Sequence, residues 1–163
     1  MSSTAEQTAS QLVVLAPIAG RAVGLEAVPD AIFAQALVGP GAAIDPPRAV
    51  VDAVAPVSGT LIKVFPHAYV VQNEDGVGVL VHLGINTVEL DGEGFTLRAE
   101  QGTQVTAGDA VVTFDVAAVE GTGRNPIVPV IALEQAPESV AFWDSLADGS
   151  SVTAGEPFLT VEI

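Results

Sequence analysis

Glycine and proline divide the chain into short apolar segments, and this division constrains the fold more than any other feature. The 163 residues include 16 glycines and 11 prolines, and the segments between them are short and rich in valine, as in 110–114 and 127–132. Such segments are typical of short β-strands joined by turns. Helical signals are weak and are confined to 29–34, 115–120 and 137–146. We therefore predict an all-β fold with a few short helical turns.

Two sequence repeats indicate that the fold has two related halves. Ala16–Gly20 (APIAG) recurs as Ala55–Gly59 (APVSG), and Gly102–Asp109 recurs as Gly149–Glu156, each ahead of an apolar segment. The two offsets differ, which excludes a solenoid with a fixed period. The repeats predict related hairpins that close a sandwich or a barrel. Generic turn sequences in a valine-rich protein would produce the same pattern.

The charge balance excludes two classes of partner. The chain has 20 acidic and 5 basic residues and a formal net charge of −15. Nucleic acids and anionic lipid surfaces both need a basic footprint on the protein, so we expect neither as a partner. A partner with a positive face is favoured, because complementary fields raise the rate of encounter. The sequence has no cysteine, which excludes disulfides, zinc–thiolate sites and thiol nucleophiles.

The length and the apolar pattern predict one domain. Residues 1–11 are polar and small, and we expect them to form a disordered tail without a signal-peptide pattern. A single domain then covers residues 12–163. No uninterrupted apolar run reaches the ~18 residues that span a bilayer. We expect a monomeric, cytoplasmic protein that does not insert into the membrane.

Two histidines carry the candidate chemistry. His67 and His82 are the side chains whose ordinary pKa of about 6.5 lies near neutral pH, and Asn73–Gly76 between them is a strong turn signal. If Glu74 and Asp75 are the central turn residues, the hairpin places the two histidines directly opposite each other on one face. A slip of one residue in the strand pairing would send them to opposite faces.

A pair of imidazoles in an apolar surround can act in three ways. It can hold a metal ion, share a proton, or use one ring as a nucleophile while the other donates a hydrogen bond to the transferred group. Two cross-strand histidines with satisfied hydrogen bonds and no chemistry would give the same pattern. The residues alone leave these alternatives open.

The segment around His82 resembles the active-site segment of a known family. Residues 81–95 read VHLGINTVELDGEGF, and the similarity extends to 28–34 (VPDAIFA), to both members of the first repeat and to 105–109. The chain resembles the glucose-family enzyme IIA of the bacterial phosphoenolpyruvate-dependent sugar phosphotransferase system over nearly all of 12–163. The resemblance implies an antiparallel β-sandwich of the barrel-sandwich-hybrid type and a phosphocarrier function coupled to sugar uptake.

The resemblance also implies a role for each histidine. His82 is the residue that accepts a phosphoryl group from the phosphohistidine of the carrier HPr and passes it to the cysteine of a sugar-specific enzyme IIB domain of an IICB permease. His67 matches the family's second histidine, which stabilises the phosphoryl group without carrying it. No cofactor is required. Many members place a threonine just before this second histidine, and its absence here leaves open what orients His67.

The family's docking surface is an apolar patch with acidic residues around it. The matching positions in this chain are Asp30, Ile32, Phe33, Val38, Phe65, Leu80 and Asn86. Ordinary core packing would also account for the apolar members of this set. Asn86 stands where the family commonly has aspartate, which bears on how strongly the site pairs with an arginine of its partner.

Two other functions are open at the level of the sequence. A zinc-binding module or zinc hydrolase would use His67 and His82, but catalytic zinc usually takes three protein ligands and the sequence has no third histidine. A transient zinc site completed by a partner's carboxylate would meet this requirement. A swinging-arm carrier of biotin or lipoate would need a lysine in an exposed turn, whereas Lys63 lies in a predicted strand.

Overall fold

A computed structural model describes residues 11–35, 38–143 and 146–162. The all-β prediction is confirmed. The strands in the described ranges are β1 (Gln11–Leu15), β2 (Gly20–Gly24), β3 (Gly41–Asp45), β4 (Val50–Val54), β5 (Gly59–Phe65), β6 (Ala68–Gln72), β7 (Gly78–His82), β8 (Phe95–Leu97), β9 (Gln104–Val105), β10 (Ala110–Asp115), β11 (Val128–Ala132), β12 (Val140–Phe142), β13 (Ser151–Val152) and β14 (Pro157–Glu162). The predicted disordered tail, residues 1–11, lies outside the described residues except for Gln11, which begins β1.

The helices of the described ranges are short. They are α1 (Ala31–Ala34), α2 (Val116–Gly121) and three 3-10 helices (Leu25–Ala27, Thr87–Leu90 and Pro137–Ser139). None of them is long and apolar enough to cross a membrane. The prediction of a helix over 137–146 is wrong, because β12 follows the last 3-10 turn and pairs with β14. Its residues Val140 and Phe142 pack against the main core, and this tertiary burial outweighs local helical preference.

Antiparallel pairing organises the strands into three sheets. The largest has the order β13-β2-β3-β11-β7-β6-β5-β9, and two smaller sheets have the orders β1-β14-β12 and β4-β10-β8. All the pairs in these sheets are antiparallel. The sheets enclose the core between them, so the fold is the predicted antiparallel β-sandwich.

The two sequence repeats occupy equivalent positions in two related halves. β13 pairs with β2, with Val152 opposite Gly20, and β9 pairs with β5, with Val105 opposite Gly59. The small sheets match as well, since β1 pairs with β14 and β4 with β10. The two glycines have φ values of 151° and 157°, and a Cβ at either would lie within 2.3 Å of a carbonyl oxygen on the next strand. The prediction of related hairpins is confirmed.

The centre of the large sheet is buried on both faces. Alternate residues of a strand point to opposite faces, so Val79 and Val81 of β7 face the main core, whereas Leu80 and His82 face the other side. A second apolar cluster covers that other side. It contains Val23, Leu25, Val28, Phe33, Ala43, Ile85, Ile127 and Ile131, with Val38, Leu80 and Leu133 packed against it.

Candidate active site

The loop between β6 and β7 sets the register of the histidine hairpin. Oδ1 of Asn73 accepts hydrogen bonds from the backbone N–H of Asp75 (3.0 Å) and of Val77 (2.9 Å). Gly76 adopts a left-handed φ of 87°, which favours glycine. The loop therefore contains three residues, 74–76, instead of the two that we predicted, and this moves every strand pair by one residue.

The shifted register places Ala68, not His67, opposite His82, so the predicted direct pairing is wrong. The two rings meet nevertheless, with centroids 5.3 Å apart and planes at 74°. They meet because His67 lies in the two-residue turn between β5 and β6, where side chains are not bound to strand alternation. The backbone N–H of Leu83 donates to the carbonyl oxygen of His67 at 2.7 Å, which ties this turn to the end of β7.

A backbone carbonyl fixes the tautomer of His82. Nδ1 of His82 lies 2.6 Å from the carbonyl oxygen of Gly84. A carbonyl oxygen can only accept a hydrogen bond, so Nδ1 carries the hydrogen and Nε2 keeps its lone pair. Gly84 has a φ of 83°, and a Cβ there would lie 2.7 Å from Cγ2 of Thr87. The carbonyl geometry therefore depends on glycine at this position.

Burial keeps both imidazoles neutral. It lowers the pKa of His82, against the opposing effects of the Gly84 hydrogen bond and of the charge of Asp30. Burial also lowers the pKa of His67, and the repulsion between the two rings when both are protonated lowers it further. The ring of Phe33, 5.2 Å from that of His82, contributes to this burial. A neutral ring with a free Nε2 lone pair is a competent nucleophile at pH 7.

A segment distant in sequence holds the loop that follows His82. The backbone N–H of Gly84 donates to the carbonyl oxygen of Ile127 (3.1 Å), and that of Ile85 donates to the carbonyl oxygen of Asn125 (2.9 Å). Arg124 donates from Nε to the carbonyl oxygen of Asn86 at 3.1 Å. Sequence reasoning missed Arg124, because 38 positions separate it from Asn86 and no local pattern joins them.

The predicted docking residues differ in how much surface they offer. Ile32 and Phe65 are 54% and 50% exposed, whereas Val38 and Leu80 are half-buried on the second apolar cluster. Phe33 is 9% exposed, so its ring forms the floor of the site and offers little surface.

The two polar members of the predicted docking set lie at loop positions, Asp30 before α1 and Asn86 in the loop that follows His82. Asp30 is half-buried, and its Oδ1 accepts a hydrogen bond from the backbone N–H of Ile32 at 2.9 Å, which caps α1. Asn86 is exposed and has a left-handed φ of 61°. Asp30 therefore combines a local structural role with a charge near His82.

The structure also bears on the residues that a zinc site or a swinging-arm carrier would need. Within the described ranges, no group of three or more His, Cys, Asp or Glu side chains is arranged to hold a metal ion. Lys63 lies within strand β5, as the sequence predicted, and not in the exposed turn that a swinging-arm carrier needs.

Comparisons with known proteins agree with this geometry. A family model described as the phosphoenolpyruvate-dependent sugar phosphotransferase system, EIIA 1, matches residues 12–137. The PTS system glucose-specific EIIA component of Oceanobacillus iheyensis is 39% identical over 128 residues, which are 77% of this chain and 76% of that protein. The PTS system N-acetylglucosamine-specific EIICBA component of Klebsiella pneumoniae is 36% identical over 151 residues, which are 91% of this chain and 23% of that protein.

A solved structure shares the whole fold. The glucose permease IIA from Mycoplasma capricolum matches with a TM-score of 0.82 and 34% sequence identity, over 93% of this chain and 96% of that chain. These matches do not support the zinc-binding or zinc-hydrolase alternative. The family model covers more than half of the sequence, so the chain belongs to the EIIA 1 family of the phosphoenolpyruvate-dependent sugar phosphotransferase system and is a phosphocarrier of that system.

Proposed function

We propose that Nε2 of His82 carries the phosphoryl group and that His67 stabilises it there. The observation that carries this proposal is the 2.6 Å hydrogen bond between Nδ1 of His82 and the carbonyl oxygen of Gly84. It leaves Nε2 as the ring nitrogen with a lone pair, in a ring that burial keeps neutral. Such a nitrogen attacks phosphorus at neutral pH without a further base.

The transfer balances without a cofactor. The Nε2 lone pair attacks the phosphorus of the phosphohistidine on HPr in line, a new P–N bond forms, and the old P–N bond breaks and returns its electron pair to the donor nitrogen. In the second step the thiolate of an enzyme IIB cysteine attacks the phosphorus, and the electron pair returns to Nε2. The Nδ1 hydrogen stays with His82 throughout. Phosphorylation makes the ring more positive, so the hydrogen bond to Gly84 strengthens as the P–N bond forms.

His67 is suited to stabilise the phosphoryl group because its protonation responds to charge. Burial, together with the repulsion between the two rings when both are protonated, lowers the pKa of His67 before transfer. A phosphoryl group on Nε2 adds negative charge beside the ring, which favours the protonated form of His67. The protonated ring has two N–H donors, and one of them can bond a phosphoryl oxygen. The contact of 5.3 Å between ring centroids supports this role.

The surface around the histidines suits a basic partner with an apolar face. Ile32 and Phe65 are exposed apolar side chains beside the site, and Val38 and Leu80 lie half-buried behind them. We include Asp30 and Asn86 in this docking surface. The net charge of −15 would attract a positive partner. We assign HPr and the enzyme IIB domain of an IICB permease to this surface, for a monomer acting in the cytoplasm on uptake of a sugar. The name of the Klebsiella relative, EIICBA, joins an A component to B and C components and supports the second partner.

The proposal is tested by intact mass after incubation with phosphoenolpyruvate, enzyme I and HPr, repeated after brief acid treatment. We expect a gain of one phosphate that acid removes. His82→Ala abolishes this gain, whereas His67→Ala accepts phosphate but transfers it poorly in a reconstituted sugar phosphorylation assay. The two variants are matched controls, because each removes one of the two histidines of the chain. Phosphate on the His82→Ala protein contradicts the assignment, and unchanged sugar phosphorylation by His67→Ala contradicts the role of His67.

A further inference from the structure

We propose that Arg124 is a positioning residue for phosphoryl transfer, because it holds the loop whose Gly84 carbonyl fixes the tautomer of His82. The inference rests on the proposed role of His82 and adds a residue that lies outside the histidine segment. Arg124 is half-buried, with 26% of its side chain exposed.

Arg124 binds the loop at two points. Its Nε donates to the carbonyl oxygen of Asn86 at 3.1 Å, and its Nη2 donates to Oε1 of Glu89 at 3.0 Å. Asn86 precedes the 3-10 helix Thr87–Leu90, has a left-handed φ of 61° and makes no side-chain cap hydrogen bond. A non-glycine residue in this conformation needs support from its surroundings. The planar guanidinium provides this support, since its fork fixes two acceptors at a set separation.

The backbone of the same segment fixes the neighbouring peptide. The carbonyl of Gly84 and the N–H of Ile85 belong to one planar peptide unit, so the direction of one sets the direction of the other. The N–H of Ile85 donates to the carbonyl oxygen of Asn125 at 2.9 Å. This bond turns the Gly84 carbonyl towards Nδ1 of His82, and glycine has little preference of its own to do so. Arg124 and Asn125 therefore hold two peptide units that lie two residues apart in the loop.

Loss of the Arg124 fork should act on the geometry of His82 more than on partner binding. Glu89 pairs with Arg124, which reduces the charge that the guanidinium presents to a partner. The released loop lets the Gly84 carbonyl move, and Nδ1 then loses its fixed acceptor. A misplacement of about 1 Å at a reacting group can lower a rate by roughly 100-fold, and we expect about a tenfold fall for this indirect contact.

The test compares Arg124→Gln and Arg124→Lys with the control Arg48→Gln. Arg48 also pairs with two carboxylates, of Asp45 and Glu120, and donates to a backbone carbonyl oxygen, that of Pro46, but the histidine loop makes none of these bonds. The first measurement is the 15N chemical shifts of the His82 ring, which report its tautomer without any phosphoryl transfer. The second is the rate of phosphorylation as a function of the concentration of phospho-HPr.

We expect Arg124→Gln to increase the tautomer with hydrogen on Nε2 and to lower the maximal rate about tenfold, with KM changed less than about twofold. Arg124→Lys keeps the charge but not the fork, so it should recover only part of the rate. Glu89→Gln keeps an oxygen acceptor for Arg124, and it should lower the rate by roughly twofold at most. Arg48→Gln should match the unmodified protein.

Three results would overturn the inference: a wild-type tautomer and rate in Arg124→Gln, complete recovery by Arg124→Lys, or an equal loss in Arg48→Gln. The first excludes positioning, the second shows that charge alone acts, and the third shows a general loss of stability. If the unmodified protein accepts no phosphate, the proposed role of His82 fails. The 15N shifts of the Arg124 variants still decide whether Arg124 fixes the tautomer.

Discussion

Gly84→Ala should destabilise the fold and impair phosphorylation together, because one backbone position serves both. The φ of 83° costs an alanine about 1–2 kcal/mol. The new Cβ would lie 2.7 Å from Cγ2 of Thr87, which is 1% exposed and donates from Oγ1 to the carbonyl oxygen of Leu83 at 2.8 Å. Thr87 cannot rotate away without leaving this buried acceptor unpaired, at a cost of about 1–3 kcal/mol. We expect a total loss of roughly 2–5 kcal/mol in the free energy of unfolding.

Two further variants separate the backbone cost from the steric cost. Gly102 has a φ of 95°, and a Cβ there would meet nothing within 4 Å, so Gly102→Ala should cost only about 1–2 kcal/mol. Thr87→Ser removes Cγ2 and keeps Oγ1. In the Gly84→Ala background this change should therefore recover about 1 kcal/mol relative to additive behaviour.

The measurements are urea unfolding at pH 7 for stability and the rate of phosphorylation by phospho-HPr for function. The rate should fall in Gly84→Ala, since the carbonyl that fixes His82 moves, and stay unchanged in Gly102→Ala. A Gly84→Ala protein that loses no more stability than Gly102→Ala, and shows no coupling to Thr87→Ser, would refute the steric argument.

Three other outcomes follow from the geometry. Burial lowers the pKa of both His67 and His82, so the folded state binds fewer protons than the unfolded state near these pKa values. Urea unfolding should show full stability above about pH 6.5 and a loss as pH falls towards the lowered pKa values, and a double His→Asn variant should lack this dependence. Tyr69→Phe should cost about 1–2 kcal/mol in the same assay, because the Tyr69 hydroxyl donates to a buried carbonyl oxygen of β4 at 2.7 Å; no loss would show that this carbonyl finds another donor. Phe65→Ala should raise KM for phospho-HPr with little change in the maximal rate. The control Val50→Ala, at an apolar position that is 62% exposed, should change neither KM nor the maximal rate. Equal kinetics in the two variants would show that Phe65 is not part of the docking surface.

The sequence predicted the strand pattern and singled out the two histidines whose rings meet in the structure, but it did not predict their geometry. The Asn73–Gly76 turn was identified, yet its length depended on Gly76 taking a left-handed φ with Asn73 bonding two backbone N–H groups. Composition does not distinguish this three-residue loop from a two-residue one. The error of one residue in register would have separated two strand histidines. It did not separate these, because His67 lies in a turn.

The parts of the site that could not be predicted depend on contacts between distant segments. Arg124 reaches Asn86 because its segment leads into β11, which pairs with β7 next to the site. The exposure of Ile32 and the burial of Phe33 could not be predicted from the sequence either, because a helix of four residues is too short to show a periodic apolar face. Both outcomes are set by the packing of α1 on the histidine face of the sheet.

The site lies where the two related halves of the fold stop being alike. The β2–β3 and β5–β6 hairpins are equivalent in the two halves, but the first connection spans 25–40 and the second only Pro66 and His67. The short connection places one histidine at the ends of strands β5 and β6, beside the end of β7 that carries His82. The long connection carries α1. Its Phe33 covers His82, and the carboxylate of its capping residue Asp30 is close enough to act on the pKa of His82. A symmetric pair of short turns would leave the His82 ring open to water, with a more ordinary pKa. We infer that the unequal connections, more than the shared strands, make this sandwich a phosphocarrier.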